Sequence, residues 1–237
     1  MGTTRTAHFM RIAEIYKSVQ GEGRLTGTSS VFVRASGCNL RCHFCDTPHT
    51  SWFPEGDDLS VDDIVERVLS HRVAHVVVTG GEPMLFAELI PLCERLQREG
   101  CHLTIETAGT LHLSVECDLM SVSPKLANST PTLEQANGWH HRHEATRDQR
   151  DIVQRLISEY SYQLKFVVAS HQDAEEVLRY LETLPRVERK YVWMMPEGID
   201  VGRLNDIAVW LAPFCNAHGL VFGPRQHIHW FGHRRGT

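Results

Sequence analysis

The chain has 237 residues, of which 42% are hydrophobic and 22% charged, and its formal net charge is −5. This composition is typical of a globular protein, and the acidic balance argues against a general nucleic-acid binder. No apolar run approaches the roughly 18 residues that a membrane span needs, and the N-terminal run lacks the apolar segment of a signal peptide. We therefore expect a cytoplasmic protein that does not contact a membrane.

Patterns typical of strands and helices alternate along the chain. Apolar, β-branched and aromatic runs predict strands at residues 30–34, 75–79, 102–106, 119–122, 162–168, 191–194 and 220–222. Helical spacing of apolar residues predicts helices at about 61–69, 86–98, 151–160, 173–184 and 203–218. Ser60 and Asp63 resemble a capping box at the start of the first helix.

Repeated strand–helix units predict a parallel sheet with right-handed crossovers. About six such units are too few to close an eight-stranded barrel. We therefore predict an α/β fold, an open partial TIM-like βα barrel with about six parallel strands, whose functional loops lie at the C-terminal ends of the strands. We treat residues 1–237 as a single domain with a polar insertion around residues 126–150.

The insertion carries three histidines close together, His140, His141 and His143, beside Arg142 and Glu144. Clustered histidines can ligate a metal, but a solvated surface is the commoner arrangement for such a polar run. We predict the solvated surface, with a helical piece inside the insertion.

Three cysteines, Cys38, Cys42 and Cys45, follow the first predicted strand as a C-x3-C-x2-C motif. Three thiolates are one ligand short for a [4Fe–4S] cluster, so one iron would stay open to bind a substrate or cofactor. The alternative is a Cys3His zinc site, for which His43 or His49 could be the fourth ligand. The total of seven cysteines is odd and argues against a disulfide framework.

The motif Gly80-Gly81-Glu82-Pro83 ends the second predicted strand, where glycines let a ligand approach the backbone closely. Together with the cysteine motif it resembles the radical S-adenosylmethionine enzymes. That resemblance implies that the open iron chelates the methionine part of S-adenosylmethionine. It also implies that the reduced cluster cleaves the cofactor to a 5′-deoxyadenosyl radical.

Further motifs narrow the resemblance. Residues 19–23 (Val-Gln-Gly-Glu-Gly), Arg34, residues 45–47 (Cys-Asp-Thr), Lys165 and residues 224–227 (Pro-Arg-Gln-His) together resemble the 7-carboxy-7-deazaguanine synthase family of queuosine and 7-deazapurine biosynthesis. The family is a group of carbon–nitrogen lyases. They contract the ring of 6-carboxy-5,6,7,8-tetrahydropterin to 7-carboxy-7-deazaguanine with loss of ammonia. The resemblance implies a magnesium ion, a homodimer and a flavodoxin- or ferredoxin-type electron donor, with no catalytic group beyond the cofactor radical.

The resemblance also implies a role for each matching residue. The cluster ligands are Cys38, Cys42 and Cys45. The S-adenosylmethionine contacts are Phe44, Cys45, Asp46, Gly81, Glu82, Ser123, Pro124, Lys125, Met195, Pro196, Glu197 and Gly198. The substrate contacts are Val19, Gln20, Gly21, Glu22, Arg34, Thr79, Lys165 and His227. The magnesium ligand is Thr47.

Two other functions stay open on the sequence. A glycyl-radical-enzyme activase shares the cysteine loop and the Gly-Gly-Glu-Pro turn, but it would not require the Gln-Gly-Glu-Gly and Pro-Arg-Gln-His segments. A non-catalytic iron–sulfur or zinc module would have a fourth protein ligand and would not cleave the cofactor.

Overall fold

The computed structural model describes residues 9–237, and most of the N-terminal run considered for a signal peptide lies outside that range. Nine strands of the described part form one sheet with the order β3-β1-β2-β4-β5-β6-β7-β8-β9. From β2 to β9 all neighbours are parallel, whereas β1 is antiparallel to both β2 and β3. The strands are β1 Phe9–Val19, β2 Ser29–Ala35, β3 Asp57–Ser60, β4 His75–Gly80, β5 His102–Thr107, β6 Leu119–Val122, β7 Tyr162–Val168, β8 Val192–Pro196 and β9 Val221–Phe222.

The five helices that were predicted with residue bounds are present, and their ends agree to within three residues. Two of them, α1 and α5, begin with capping boxes at Ser60/Asp63 and Ser170/Asp173, which satisfy free backbone amides. None of the helices in residues 9–237 is long and apolar enough to cross a bilayer. The helices are α1 Val61–Ser70, α2 Leu89–Arg98, α3 Trp139–Arg147, α4 Arg150–Glu159, α5 His171–Glu182, α6 Val201–Ala217 and α7 Gln226–Phe231.

The predicted fold class is confirmed as an α/β fold with a mostly parallel, open sheet. The antiparallel strands β1 and β3 and the short helix α7 were not predicted. The assignment of one domain with an insertion at residues 126–150 stays a prediction; that segment contains α3.

A β-bulge in β1 explains why its pattern is hard to recognise. Ile12 pairs with Ala35 and Glu14 pairs with Arg34, so Ala13 is an extra residue that changes the direction of the side chains after it. Before the bulge, Met10 and Ile12 are buried in the core. After it, the even-numbered residues Glu14 and Tyr16 line a cavity instead.

The parallel strands divide their side chains between two faces, as the two-residue period of a strand requires. One set packs against the helices and forms the main core, as Val33, Val78, Ile105 and Leu164 do. The residues that follow these four in the chain, Arg34, Thr79, Glu106 and Lys165, line the cavity on the other face.

Candidate active site

A cavity of about 430 Å³ lies at the C-terminal ends of the parallel strands. All three motif cysteines line it, together with residues from the strand ends and from the segment after β9. Of the residues predicted from the sequence, every one except Glu82, Pro124 and Pro196 lines this cavity. The volume falls in the range of pockets that hold small-molecule ligands, about 300–1,000 Å³.

The cysteine loop forms an apolar wall of the cavity. Cys42 packs with Leu40 and Ala108 in a small cluster separate from the main core, against which Cys38 and Cys45 also pack. Burial raises the pKa of Cys38 and of Cys42 to about 12. For Cys38, a hydrogen bond from Leu40 N–H opposes this shift, but its effect is smaller. For Cys42, the charge of Lys125 opposes the shift, and its effect is also smaller. Iron binding must therefore displace protons from these thiols.

The three thiols line one cavity, where each could bind a different iron of a cluster. Within residues 9–237 no three His, Cys, Asp or Glu side chains converge on a point that could hold one metal ion. A tetrahedral zinc site requires such convergence, with ligand atoms about 2.0–2.3 Å from the metal. In a cubane each thiolate binds a different iron, so the three sulfur atoms stay apart while they face one space.

The Gly80-Gly81 turn packs tightly against the backbone that leads into the cysteine loop. Gly80 has a φ of +134°, and a Cβ at Gly81 would lie 2.1 Å from the carbonyl oxygen of Gly37. Gly81 N–H donates to Ala35 O (3.0 Å) and Glu82 N–H to Gly37 O (2.8 Å). Glycine is needed here because any side chain would separate the two segments.

Glu82, one of the predicted cofactor contacts, lies outside the cavity lining. Its carboxylate is fully buried and accepts hydrogen bonds from Met84 N–H (3.0 Å), Ala108 N–H (2.8 Å) and the Thr107 hydroxyl (2.9 Å). Burial raises the pKa of Glu82 although these donors oppose the shift. The carboxylate therefore fastens the turn to the end of β5 and does not line the cavity.

Pro124 and Pro196 are also outside the cavity lining, although their neighbours belong to it. Pro196 is the last residue of β8, and Pro124 follows the end of β6 by two residues. Each fixes the backbone of its loop and removes one amide donor. The side chains of Ser123 and Lys125 are joined by a hydrogen bond of 2.7 Å.

Five charged groups alternate along the polar side of the cavity. Lys165 Nζ lies 3.0 Å from both Glu106 and Glu22. Arg225 contacts the other oxygen of Glu22 at 3.1 Å and also pairs with Asp46. We call Glu106, Lys165, Glu22, Arg225 and Asp46 the charge chain.

Burial works against the charges of Glu22, Lys165 and Arg225, and the neighbouring charges outweigh it. Burial alone would raise the pKa of Glu22, but Lys165 and Arg225 hold it well below its usual range. Burial would lower the pKa of Lys165 and Arg225, but their carboxylate neighbours raise both. All three side chains are therefore ionised at neutral pH.

Arg34 is held within the site and is not a simple surface ion pair. Its Nε donates to Glu14 at 2.6 Å and its Nη2 donates to the Tyr16 hydroxyl at 2.7 Å. Among residues 9–237, none accepts a hydrogen bond from its Nη1. The guanidinium of Arg34 is thus partly occupied by the protein, which leaves its Nη1 end for a ligand.

The remaining predicted residues also have definite partners. His227 lies 4.0 Å from Glu22, and burial lowers its pKa although the Glu22 charge opposes the shift. The Thr47 hydroxyl lies 3.9 Å from Cys45 Sγ and accepts from Thr50 at 3.4 Å.

Glu197 pairs with Arg203 outside the strand, and the carbonyl of Gly198 accepts from Arg225 at 2.6 Å. This contact anchors the loop after β8 to the charge chain.

The last residues of the chain lie along the cavity, as residues 232–237 are part of its lining. His233 Nε2 donates to Asp46 O at 2.9 Å, and Arg235 contacts Glu55 at 2.9 Å and Glu14 at 3.6 Å. The segment therefore bridges the cysteine loop and β1.

Several lining residues were missed from the sequence. Glu106 ends a predicted strand two positions after a buried threonine, so its face could have been derived from strand periodicity. Arg225 lies in the Pro-Arg-Gln-His motif, from which only His227 was selected. Glu14 and Tyr16 could not be found, because their strand was not predicted.

The three histidines of the insertion have different environments. His141 is exposed as predicted, but His143 is fully buried. Burial lowers the pKa of His143 to about 4. The prediction of one solvated surface is therefore wrong for His143, because α3 turns that side chain toward the cysteine loop.

Comparisons with known proteins show the family and the fold of the chain. Residues 32–148 match the model of the radical SAM superfamily. The chain is 44% identical to a 7-carboxy-7-deazaguanine synthase of Rhodopirellula baltica over 95% of this chain and 88% of that protein. A protein of the same name from Halobacterium salinarum is 45% identical over 92% of this chain and 88% of its own length. The crystal structure of QueE from Escherichia coli superposes with a TM-score of 0.71 at 24% identity, covering 92% of this chain and 95% of that chain, which supports the fold.

Proposed function

Since the chain belongs to the 7-carboxy-7-deazaguanine synthase family within the radical S-adenosylmethionine superfamily, we propose that it converts 6-carboxy-5,6,7,8-tetrahydropterin to 7-carboxy-7-deazaguanine with loss of ammonia. The observation that carries the proposal is a single cavity that is lined by three thiols and by the charge chain. Family membership favours this function over a glycyl-radical activase or a non-catalytic module.

We assign the apolar wall to the cofactor. Cys38, Cys42 and Cys45 would hold a [4Fe–4S] cluster, and S-adenosylmethionine would lie against Gly81 and the Ser123–Lys125 pair. When bound there, the cluster and S-adenosylmethionine would supply radical chemistry for the removal of a hydrogen atom from the substrate. The residues themselves bind, orient and exclude water, because none of them needs to transfer a proton for that step.

We assign the polar wall to the pterin. Its amino and ring N–H groups are donors, and the free lone pairs of Glu22 and Glu106 are acceptors that the charge chain already holds in place. A charged group that accepts from a neutral donor makes a stronger hydrogen bond than a neutral pair. The substrate carboxylate is an anion, and the open end of the Arg34 guanidinium is a planar cation that suits it.

Thr47 is our proposed magnesium ligand. Its hydroxyl is a hard oxygen donor on the cysteine loop, and magnesium usually combines few protein ligands with substrate oxygens and water. The Thr47→Ala variant should lower turnover and raise the magnesium concentration required, while the iron content stays at the wild-type level. Titration with magnesium after chelator treatment measures this; an unchanged requirement would exclude Thr47.

A homodimer, a flavodoxin- or ferredoxin-type electron donor and a cytoplasmic location also remain proposals taken from the family. The chemistry that supports a reducing location is the set of seven free cysteines, three of which would have to act as thiolates in the wall of the cavity. Sedimentation and activity with different reductants test the first two.

The test of the function is anaerobic incubation of the iron-loaded protein with S-adenosylmethionine, a reductant and 6-carboxytetrahydropterin, followed by mass analysis of the products. The Cys42→Ala variant should lose the cluster and the product. Cys215→Ala is the matched control, because Cys215 is also buried but belongs to α6 and packs in the main core. No deazaguanine product from the loaded wild type would refute the proposal.

A further inference from the structure

The insertion segment holds the backbone on both sides of Cys42. Arg41 N–H, one residue before it, donates to His143 Nδ1 at 3.1 Å. His43 N–H, one residue after it, donates to Ser129 O at 3.0 Å. Both acceptors belong to the segment that was predicted to be a solvated insertion. The position of Cys42 is therefore set by residues about a hundred positions later in the chain.

The ring of His143 is part of a directed chain of hydrogen bonds. Because Arg41 N–H can only donate, Nδ1 of His143 must accept, and the proton of the neutral ring is on Nε2. Nε2 then donates to the Ser129 hydroxyl at 2.9 Å, which in turn donates to Leu126 O at 2.7 Å. His143 and Ser129 are fully buried. Burial keeps the pKa of His143 near 4, which agrees with a neutral ring.

The side chain of Arg41 is held by the same helix. Its guanidinium lies over the ring of Trp139, the first residue of α3, at 3.9 Å from the ring centre. The same guanidinium donates to Cys38 O (2.8 Å) and Leu40 O (2.7 Å), so it closes the loop onto itself. Backbone and side chain of the residue before Cys42 are thus both fixed by α3.

From these contacts we infer that His143 is a positioning residue for the iron–sulfur cluster, which holds Cys42 in its ligating position through the Arg41 amide. The inference rests on the proposed ligation of the cluster by Cys38, Cys42 and Cys45. The insertion segment is then a brace for the cysteine loop. Removing the acceptor would leave a buried amide unpaired and would let the loop release iron more easily.

Two substitutions of His143 distinguish the effect of losing the Nδ1 acceptor from the effect of changing the size of the side chain. In His143→Asn the amide oxygen takes the place of Nδ1 and can still accept from Arg41. In His143→Gln the terminal amide takes the place of Nε2 and can still contact Ser129, but nothing accepts from Arg41. His141→Ala is the control, since His141 is exposed on the same helix.

The measurement is the rate at which an iron chelator removes the cluster from the anaerobic, loaded protein, followed by absorbance. We expect His143→Gln to lose the cluster about tenfold faster than wild type, as for loss of one buried acceptor. His143→Asn and His141→Ala should stay within about twofold of wild type. The EPR spectrum of the reduced protein should change most in His143→Gln and little in His143→Asn and His141→Ala.

Equal rates for His143→Asn and His143→Gln would overturn the inference, because the acceptor would then be irrelevant. If His143→Gln does not fold, His143→Leu replaces it. Leucine has nearly the shape of the asparagine in His143→Asn but has no acceptor for Arg41 N–H, so a wild-type rate in His143→Leu would also overturn the inference. If wild-type protein itself takes up no four-iron cluster, the proposed function fails instead.

Discussion

Replacing Lys165 by methionine should destabilise the fold strongly. Lys165 is 3% exposed and lies 3.0 Å from two carboxylates. At an effective dielectric constant of about 20, each pair is attracted by about 5 kcal/mol, which the burial of the charges largely offsets. Removing one partner of a buried ion pair typically costs about 3–5 kcal/mol, because the other charge stays buried. We expect a loss in this range for Lys165→Met.

The same change should shift the pH dependence of stability. In the wild type, the depressed pKa of Glu22 contributes stability that is complete above its unfolded value of 4.5 and is lost as the pH falls through the lower folded value. Without Lys165 the pKa of Glu22 rises, so its contribution shrinks and is lost at a higher pH. Urea unfolding of the iron-free protein between pH 2 and pH 7 measures both effects, because the loss of the Glu22 contribution falls below pH 4.5.

A second substitution tests the cause. In Lys165→Met with Glu106→Gln, only Glu22 remains charged at this point, and Arg225 still pairs with it. The double variant should regain more than about 1 kcal/mol relative to Lys165→Met, the size of coupling expected for residues in contact. A Lys165→Met variant as stable as wild type, or a double variant less stable than the single one, would refute the reasoning.

Three further changes test the walls of the cavity. Ser51 is buried, and its hydroxyl lies 3.2 Å from Cys45 Sγ. Hydrogen bonds to the sulfur atoms of a cluster help set its reduction potential. Ser51→Ala should therefore lower the midpoint potential in a redox titration. Arg34→Lys should raise KM and release more 5′-deoxyadenosine per product, because lysine keeps the charge but loses the planar contacts; unchanged values of both would make Arg34 structural. Arg235→Gln should raise KM about twofold to tenfold with little change in unfolding free energy, since exposed ion pairs contribute at most about 1 kcal/mol.

Strand periodicity explains which site residues the sequence could provide. Arg34 and Thr79 are direct register partners on β2 and β4, and they were selected from motifs. Lys165 on β7 and Glu106 on β5 also point to the face of the sheet that lines the cavity. The sequence therefore contained the information to select Glu106, because a charged side chain at a cavity-facing strand end is itself a signal.

Other features depend on tertiary contacts that no local pattern carries. The bulge at Ala13 interrupts the alternation of β1, so the strand that presents Glu14 and Tyr16 was not recognised. Glu82 lies in a motif that is typical of a ligand-binding turn. Its carboxylate, however, accepts hydrogen bonds from Met84 N–H and Ala108 N–H. The polar sequence around His143 predicts an exposed side chain. Its burial becomes evident only when α3 lies against the cysteine loop.

The charge chain is better explained by ligand binding than by stability. Its five members come from β5, β7, the segment after β1, the segment before α7 and the cysteine loop, so it forms only when all of these are in place. Apolar side chains of similar volume would often stabilise a fold equally well or better. A polar substrate, however, needs fixed charges in a site from which water is excluded, and charges that are already oriented cost no reorganisation during the reaction. Stability and turnover should therefore separate in the Lys165→Met, Glu106→Gln double variant. It should be more stable than Lys165→Met and yet form little product, because the charged acceptor Glu106 and the lysine that holds Glu22 in place are gone.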